Sequence, residues 1–176
     1  MDGTEGQDDL YRRVAEEYGA ALERLACAYE ADADRRSDLL QEIHLELWRS
    51  FEKFNGRCSL RTWIYRVAHN AATSYAIRQS RRNAAAFVTL EEADAQDGQE
   101  NVEVFADRQK LLARLLTLIQ RLEPADRQLM LAYLEGMNAE SIAEMTGLSV
   151  ANVWTKIHRI KNVLSRRFHG GGRDAR

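Results

Sequence analysis

The stretch "NAESIAEMTGLSVANVWTKIHRIKNVLSRRF", residues 138–168, decides the fold of the C-terminal part of the chain. Two segments with helically spaced apolar residues flank Gly147, and a glycine suits a sharp turn because it adopts backbone angles that other residues avoid. Ala143 and Val153 lie four residues before and six residues after this glycine. They place a small residue at the helix crossing and a β-branched residue where it can pack back. These offsets predict a helix-turn-helix, and an ordinary helical hairpin is the alternative.

Both helices of this motif have a start signal. Asn138 precedes the first helix and Ser149 the second, and such side chains accept hydrogen bonds from the free amides of a first turn. A second helix of this kind enters the major groove of duplex DNA with its N-terminal residues near base edges. Its candidate DNA contacts are Ser149, Ala151, Asn152, Thr155, Lys156 and Arg159.

The chemistry of these side chains suggests what each could recognise. Asn152 can read adenine, and Lys156 or Arg159 can contact guanine or phosphate. Trp154 lies among them, and we expect it to anchor the core rather than to face solvent. The second helix contains no acidic residue, which favours DNA binding over a plain hairpin.

Charge is segregated along the chain, although the net charge is only −2. Residues 56–90 and 145–173 contain no aspartate or glutamate, yet each block has several arginines or lysines. Residues 91–107 are acidic and contain no lysine or arginine. Two cationic blocks predict two contacts with a polyanion, most simply nucleic acid. A pair of solvated helix faces is the alternative.

The N-terminal part predicts three helices that share one core. They cover residues 8–30, 37–54 and 60–82, with Ser37 as the N-cap of the second and a break at Asn55 and Gly56. Helical spacing predicts the inward-facing residues to be Leu10, Val14, Tyr18, Leu22, Leu25 and Tyr29, then Leu40, Ile43, Leu47 and Phe51, then Leu60, Ile64, Val67 and Ala71.

One face of the third helix has the composition of a surface for single-stranded DNA. An aromatic ring can stack on a base, arginines can follow phosphates, and an asparagine can read an unpaired base edge. The residues that share this face, three or four positions apart, are Trp63, Arg66, Asn70, Ser74, Arg78 and Arg81. Trp63 could equally belong to the core.

The chain divides into residues 1–82, an acidic linker at 83–106, and a second helical unit at 107–170. A leucine stripe in the second unit comprises Leu111, Leu115, Leu118 and Leu122. Pro124 then begins a new helix, since proline is well placed at a first helical position. That helix carries Leu129, Met130, Tyr133 and Leu134 and stops near Gly136.

Composition favours an all-α protein with two small domains. Of 176 residues, 45% are hydrophobic and one is proline, while strong helix formers dominate. No apolar run approaches the roughly 20 residues of a membrane span, and the acidic N-terminus is unlike a secretory signal. Cys27 and Cys58 match no metal-ligand spacing. We therefore expect a cytoplasmic protein with free thiols, no metal and no cofactor.

The segment "DLLQEIHLELWRSFEKFNGRCSLRTWIYRVAHNAATSY", residues 38–75, together with the helix-turn-helix, resembles a bacterial extracytoplasmic-function sigma factor of the sigma-70 family. The resemblance covers roughly residues 10–82 and 107–168. It implies a transcription initiation factor that binds core RNA polymerase, through the clamp helices of the largest subunit and the flap, and brings it to promoters. The family's commonest regulator, an anti-sigma factor, is a further implied partner.

The resemblance also implies roles for individual residues. Asp38, Gln41 and Glu42 match the motif that docks on the clamp helices. The loop at residues 55–59 matches the one that receives a flipped base, and Asn70 occupies the position of the asparagine that reads the minus-ten element. The implied minus-ten contacts are Asn55, Arg57, Arg61, Trp63, Arg66, Asn70, Ser74, Arg78, Arg81 and Arg82. The second helix of the helix-turn-helix would read the minus-thirty-five element.

Three departures from the family pattern bear on these roles. Ser37 replaces a frequent acid before the docking motif, and Ser74 stands where many relatives carry an acid. The run "VANVWTKIHR" replaces the commoner Gly-Thr-Val-Lys-Ser-Arg pattern, so the preferred minus-thirty-five sequence is left open.

Two other function classes remain as alternatives. A conventional helix-turn-helix repressor or activator would bind duplex DNA without polymerase, but it gives no reason for the acid-free strip around Trp63. An enzyme would draw on His44, His69, His158 or His169, yet no zinc-site spacing, phosphate loop or nucleophile motif accompanies them.

Overall fold

The computed structural model describes the backbone of residues 3–86 and 105–170 and the side chains of residues 6–81 and 109–168. Within these ranges there are seven α-helices, one 3-10 helix (Phe51–Lys53) and no strand, so the all-α prediction is confirmed. The helices are α1 (Gly3–Tyr29), α2 (Ala33–Ser50), α3 (Leu60–Ala86), α4 (Phe105–Gln120), α5 (Pro124–Leu134), α6 (Ala139–Thr146) and α7 (Val150–Gly170). Most of the predicted acidic linker, residues 87–104, lies outside the described residues.

Helices α1, α2 and α3 pack into one N-terminal bundle. The buried stripe of α2 consists of Leu39, Ile43 and Leu47, each fully buried. The predicted stripe began instead at Leu40, which is only half-buried. Residues spaced by four share one helix face, so the observed stripe continues the same register towards the N-terminus.

The N-cap of α2 is Asp32 and not Ser37, so that prediction was wrong. The Asp32 side chain accepts a hydrogen bond of 2.9 Å from the Arg35 amide. Ser37 lies within the helix and is exposed. Both residue types cap helices, but the intervening alanine and arginines favour the helical state and extend the helix back to the earlier cap.

Helix α3 is buried on more than one side, because α1, α2 and α6 all pack against it. Ile64 and Ala71 are buried as predicted, whereas Leu60 and Val67 are only partly buried. The single predicted stripe was therefore incomplete. The remaining buried positions, Thr62, Tyr65, Ala68, His69, Ala72 and Tyr75, spread around the helix.

Helices α4 to α7 form a C-terminal bundle that contains the predicted helix-turn-helix in α6 and α7. Asn138 caps α6 by accepting a 2.8 Å hydrogen bond from the Ser141 amide. Gly147 has a φ of +75° and makes the turn, and Ser149 Oγ accepts from the Asn152 amide at 3.3 Å. The start signals and the turn are confirmed.

The core of the C-terminal bundle differs from the prediction at one end of α4. Leu118 is buried, but Leu111 is 50% exposed, so its predicted burial was wrong. The bundle covers only the C-terminal part of α4, and helical spacing alone cannot show where coverage ends. On α7, Val153 is fully buried as the helix-turn-helix pattern predicts.

The two bundles contact each other directly, and Glu135 at the end of α5 is the main polar link. Its carboxylate accepts two hydrogen bonds from Arg24, at 2.7 and 2.8 Å, and one from the Tyr65 hydroxyl at 3.1 Å. Arg61 donates to the Glu135 carbonyl. The hydrogen bond from Arg24 holds the pKa of Glu135 below its usual value.

We expect the Glu135→Gln substitution to loosen this contact, because the amide cannot form the same bidentate ion pair with Arg24. The Arg24 side chain is 59% exposed and that of Glu135 19%. Ion pairs at a protein surface contribute about 1 kcal/mol or less, so the arrangement in which the two bundles touch should lose about fivefold in population at most. Small-angle scattering should then give a larger radius of gyration. Exchanging the charges in Arg24→Glu with Glu135→Arg should partly restore compactness. If Glu135→Gln scatters like the control Glu140→Gln, on the exposed surface of α6, the link is unimportant.

Candidate nucleic-acid and polymerase interface

The N-terminal half of α7 presents the predicted duplex-DNA contacts on its surface. Five of the six are exposed and Lys156 is partly exposed. Asp126 on α5 holds two cations at this site, because Arg159 approaches its carboxylate at 2.7 Å and Lys156 at 3.7 Å. Asp126 was not among the residues predicted from sequence, because it lies 33 positions before Arg159. Partly exposed ion pairs are weak, so both cations could exchange this carboxylate for a DNA phosphate.

Trp154 does not anchor the core. Its side chain is 55% exposed on α7, so the core prediction was wrong. The physical reason is register: Val153 and Ile157 occupy the buried side of α7, and Trp154 is rotated about 100° from Val153. The indole is therefore part of the candidate DNA surface.

The predicted single-strand surface on α3, called the α3 strip below, is partly exposed and partly paired with other residues of the protein. It comprises Trp63, Arg66, Asn70, Ser74, Arg78 and Arg81. Asn70, Ser74 and Arg81 are exposed. Arg78 forms an ion pair with Glu42 of α2, with a nitrogen–oxygen distance of 2.6 Å. Arg82 lies in α3, but its side chain is outside those described.

A groove of about 430 Å³ runs between α2 and α3 beside this strip. Asn70 and Ser74 line it from α3, while Glu46, Arg49 and Lys53 line it from the other side. The walls thus combine hydrogen-bonding groups and three cations with the carboxylates of Glu42 and Glu46. A nucleic-acid strand in this groove would find cations for its phosphates and polar partners for its bases, beside two carboxylates that repel its phosphates.

Trp63 is half-buried at the edge of the N-terminal core. Its ring lies 5.5 Å from the Phe54 ring, and its indole nitrogen donates to Ser50 Oγ at 3.0 Å. The Arg66 guanidinium lies 5.0 Å from the Trp63 ring and also contacts Cys58 Sγ at 3.4 Å. The indole is therefore fixed in orientation, and its use as a stacking platform stays a prediction.

The loop before α3 is a tight, polar turn. Asn55 Oδ1 accepts from the Arg57 amide at 3.2 Å, and Gly56 has a φ of +71°. Ser59 Oγ accepts from the Thr62 amide at 3.0 Å, which fixes the start of α3. Asn55 and Arg57 are exposed, so the loop offers polar side chains from an ordered backbone.

His44 and His69 are structural groups of the N-terminal bundle. His69 is completely buried, and burial lowers its pKa to about 3. Its Nδ1 is 3.2 Å from the Tyr29 hydroxyl, whereas Nε2 has no partner. His44 is half-buried beside Tyr11, and burial lowers its pKa as well. Both rings are therefore neutral structural groups near pH 7.

Residues 3–86 and 105–170 contain neither a candidate metal site nor a membrane-spanning helix. No cluster of three or more metal-ligating side chains occurs there, and Cys27 and Cys58 are free thiols. Among the same residues, no helix combines the length and hydrophobicity needed to cross a membrane.

Comparison with known proteins identifies both bundles. The family described as Sigma-70 region 2 matches residues 14–82, and the family described as Sigma-70, region 4, matches residues 112–164. The chain belongs to the sigma-70 family. Members of this family are transcription initiation factors rather than enzymes.

Curated relatives of this sigma factor support the extracytoplasmic-function type. The ECF RNA polymerase sigma-E factor of Haemophilus influenzae is 29% identical over 138 residues, covering 74% of this chain and 73% of the relative. The RNA polymerase sigma-H factor of Pseudomonas aeruginosa is also 29% identical, covering 77% and 74%. The Escherichia coli sigma-E factor is 25% identical, covering 90% and 86%.

Two solved structures share the fold of this sigma factor. RpoE of Bartonella quintana, in complex with the anti-sigma factor NepR, has a TM-score of 0.68 at 17% identity, covering 94% of this chain and 99% of that one. CnrH, in complex with the cytosolic domain of CnrY, has a TM-score of 0.68 at 19% identity, covering 96% and 93%.

In region 2 of this sigma factor, the predicted polymerase contacts lie on one side of α2. Asp38 and Gln41 are exposed, and Glu42 is partly exposed because it pairs with Arg78. A residue predicted to touch polymerase therefore pairs with one predicted to touch DNA. A contact between the two regions likewise involves a predicted DNA-binding residue. Arg61 of region 2 donates a hydrogen bond to the backbone carbonyl of Glu135 in region 4.

Proposed function

We propose that this sigma factor binds core RNA polymerase, directs it to promoters and helps to open the DNA. The observation that carries the proposal is the presence, on one chain, of sigma regions 2 and 4, each with an exposed and acid-free helix face. One face lies on α3 and the other on α7. A conventional repressor accounts for the α7 surface but not for the α3 strip.

We assign three surfaces to three contacts. Asp38, Gln41 and Glu42 dock on the largest-subunit clamp helices. The loop at residues 55–59 and the α3 strip bind the melted minus-ten element, and α7 binds the minus-thirty-five element as duplex. The assignment rests on exposure, charge and family position, and it keeps the predicted domains at residues 1–82, 83–106 and 107–170. Helix α3 continues to Ala86 and α4 begins at Phe105, so both helices extend into the predicted linker.

The factor itself performs no catalysis in this proposal, and polymerase supplies the chemistry in the cytoplasm. An anti-sigma factor is a proposed regulator, because one solved structure of the same fold is a sigma factor in complex with an anti-sigma factor. The polar link at Glu135 makes a compact state available to such a partner.

Transcription in vitro tests this function. Purified core polymerase is supplied with a library of bacterial genomic fragments, with and without the full chain, and transcript start sites are sequenced. We expect defined start sites that require the chain and share two upstream elements. Transcripts that are the same with and without the chain would refute the proposal.

The Glu42→Lys substitution should weaken core polymerase binding about tenfold or more, because it reverses a charge in the docking surface and places a like charge beside Arg78. Affinity can be measured with fluorescently labelled chain and purified core enzyme, with circular dichroism as a check on folding. Glu46→Lys makes the same charge change one turn further along α2 and is the matched control. Equal affinities of the two variants would contradict the assigned role of Glu42.

A further inference from the structure

Of the three tryptophans, Trp154 is the one whose side chain is exposed. Trp48 and Trp63 are partly buried, and their indole nitrogens donate to Asp8 Oδ1 at 2.8 Å and to Ser50 Oγ at 3.0 Å. Trp154 is 55% exposed, and its indole nitrogen has no hydrogen-bond partner among the described residues. A single exposed apolar side chain is ordinary, but this indole lies among the predicted DNA contacts of α7, where its ring can be buried against a ligand.

The position of Trp154 on α7 would place its indole inside the major groove of bound DNA. Lys156 and Arg159 lie on one flank of the helix, where both pair with Asp126. Trp154 is about 140–160° around the helix from these two cations, at 3.6 residues per turn. A helix with side chains is about 10–12 Å across and the major groove about 12 Å wide. Side chains on both flanks would therefore reach the base edges or the groove walls.

The chemistry of the groove selects the target of the indole. The thymine methyl group is the apolar feature that base edges display in the major groove, and apolar side chains recognise it by burying it. The helix around Trp154 carries mainly small, polar or cationic residues, with Ala151 one turn before, His158 one turn after and Lys161 further along. Val150, also one turn before, is 36% exposed and adds only a small apolar area beside the indole. A protein partner would favour a broader apolar patch, so this surface suits DNA better.

We propose that Trp154 reads a thymine methyl group in the minus-thirty-five element and thereby sets the sequence preference of region 4. The proposal rests on the proposed function and adds a determinant that charge alone does not provide. Lys156 and Arg159 hold the phosphates or a guanine on one flank, and the indole selects thymine on the other. The proposal predicts a preference for thymine at one position of the minus-thirty-five element, and this preference should require the Trp154 side chain.

The test uses holoenzyme assembled from core polymerase and the full chain. Templates with a randomised minus-thirty-five region are transcribed with wild type, Trp154→Ala and the control His158→Ala, and the transcripts are sequenced. We expect one strongly preferred thymine with wild type and with the control, and loss of that preference with Trp154→Ala. Next, each thymine of the selected element is replaced by deoxyuridine, which lacks only the methyl group.

One of these replacements should reduce wild-type promoter binding about fourfold, as expected for one buried methyl group, and should not affect Trp154→Ala. Equal sensitivity of the two proteins to deoxyuridine at every position would overturn the proposal and leave the proposed function intact. Absence of any chain-dependent transcript with wild type would overturn the proposed function, and this proposal with it.

Discussion

Promoter opening should slow by about ten- to a hundredfold in the Asn70→Ala variant, while binding to core polymerase stays at the wild-type level. An asparagine amide that reads a base edge typically contributes about 1–3 kcal/mol. Asn70 is exposed on α3 and lines the groove between α2 and α3. Alanine removes both hydrogen-bonding atoms of the side-chain amide and leaves the helix intact, because alanine is the best helix former.

The two activities can be measured on the same protein preparations. Opening is followed by the fluorescence of 2-aminopurine placed in the minus-ten region, and polymerase binding by titration of labelled chain. Asn162→Ala, at an exposed position in the C-terminal half of α7, is the matched control and should open promoters like wild type. Equal losses of opening and polymerase binding would show that Asn70 does not act on DNA.

The second large effect is a loss of stability in mild acid that originates at His69. The folded chain keeps this buried ring neutral down to a pKa of about 3, whereas in the unfolded chain an unperturbed histidine takes up its proton near pH 6.5. Because the unfolded state binds the extra proton, stability falls as the pH drops from about 6.5 towards 3. The loss from this residue should be about 2 kcal/mol between pH 7 and pH 5.

Urea denaturation at several pH values isolates this contribution. His69→Gln should be less stable than wild type at pH 7, because Tyr29 loses its buried partner. Its stability should nevertheless decline less steeply between pH 7 and pH 5. His44→Gln should show a smaller flattening, since His44 is only half-buried. Parallel pH profiles of wild type and His69→Gln would contradict the assignment of a neutral, buried His69.

Local chemistry made the C-terminal motif predictable from sequence. The cap at Asn138, the turn at Gly147 and the packing of Val153 each depend on neighbours within about ten residues, and each is present. The prediction of Ser37 as N-cap was wrong because Asp32 and Ser37 can both cap a helix. The helix propensity of the residues between them decides which one starts α2. The predicted burial of Trp154 was wrong because it relied on the size of the side chain, whereas the position of its neighbour Val153 determines which side of α7 is buried.

Long-range contacts account for what the sequence could not reveal. Glu135 lies 111 positions from Arg24, and no local pattern connects them. His69 is buried because α3 is covered on several sides, which a single helical stripe does not reveal. The pairing of Glu42 with Arg78 likewise requires that α2 and α3 lie side by side. Candidate site residues could therefore be found from sequence, but their internal partners could not.

The central claim is that one chain positions polymerase through two separate DNA contacts. Hydroxyl-radical footprinting of the holoenzyme, on a promoter identified from its own transcripts, tests this claim most directly. Two protected stretches should appear, centred about ten and thirty-five base pairs before the start site and separated by a less protected spacer. The double variant Lys156→Ala with Arg159→Ala should lose only the upstream stretch. A single protected stretch, or loss of both together, would contradict the assignment of the two surfaces.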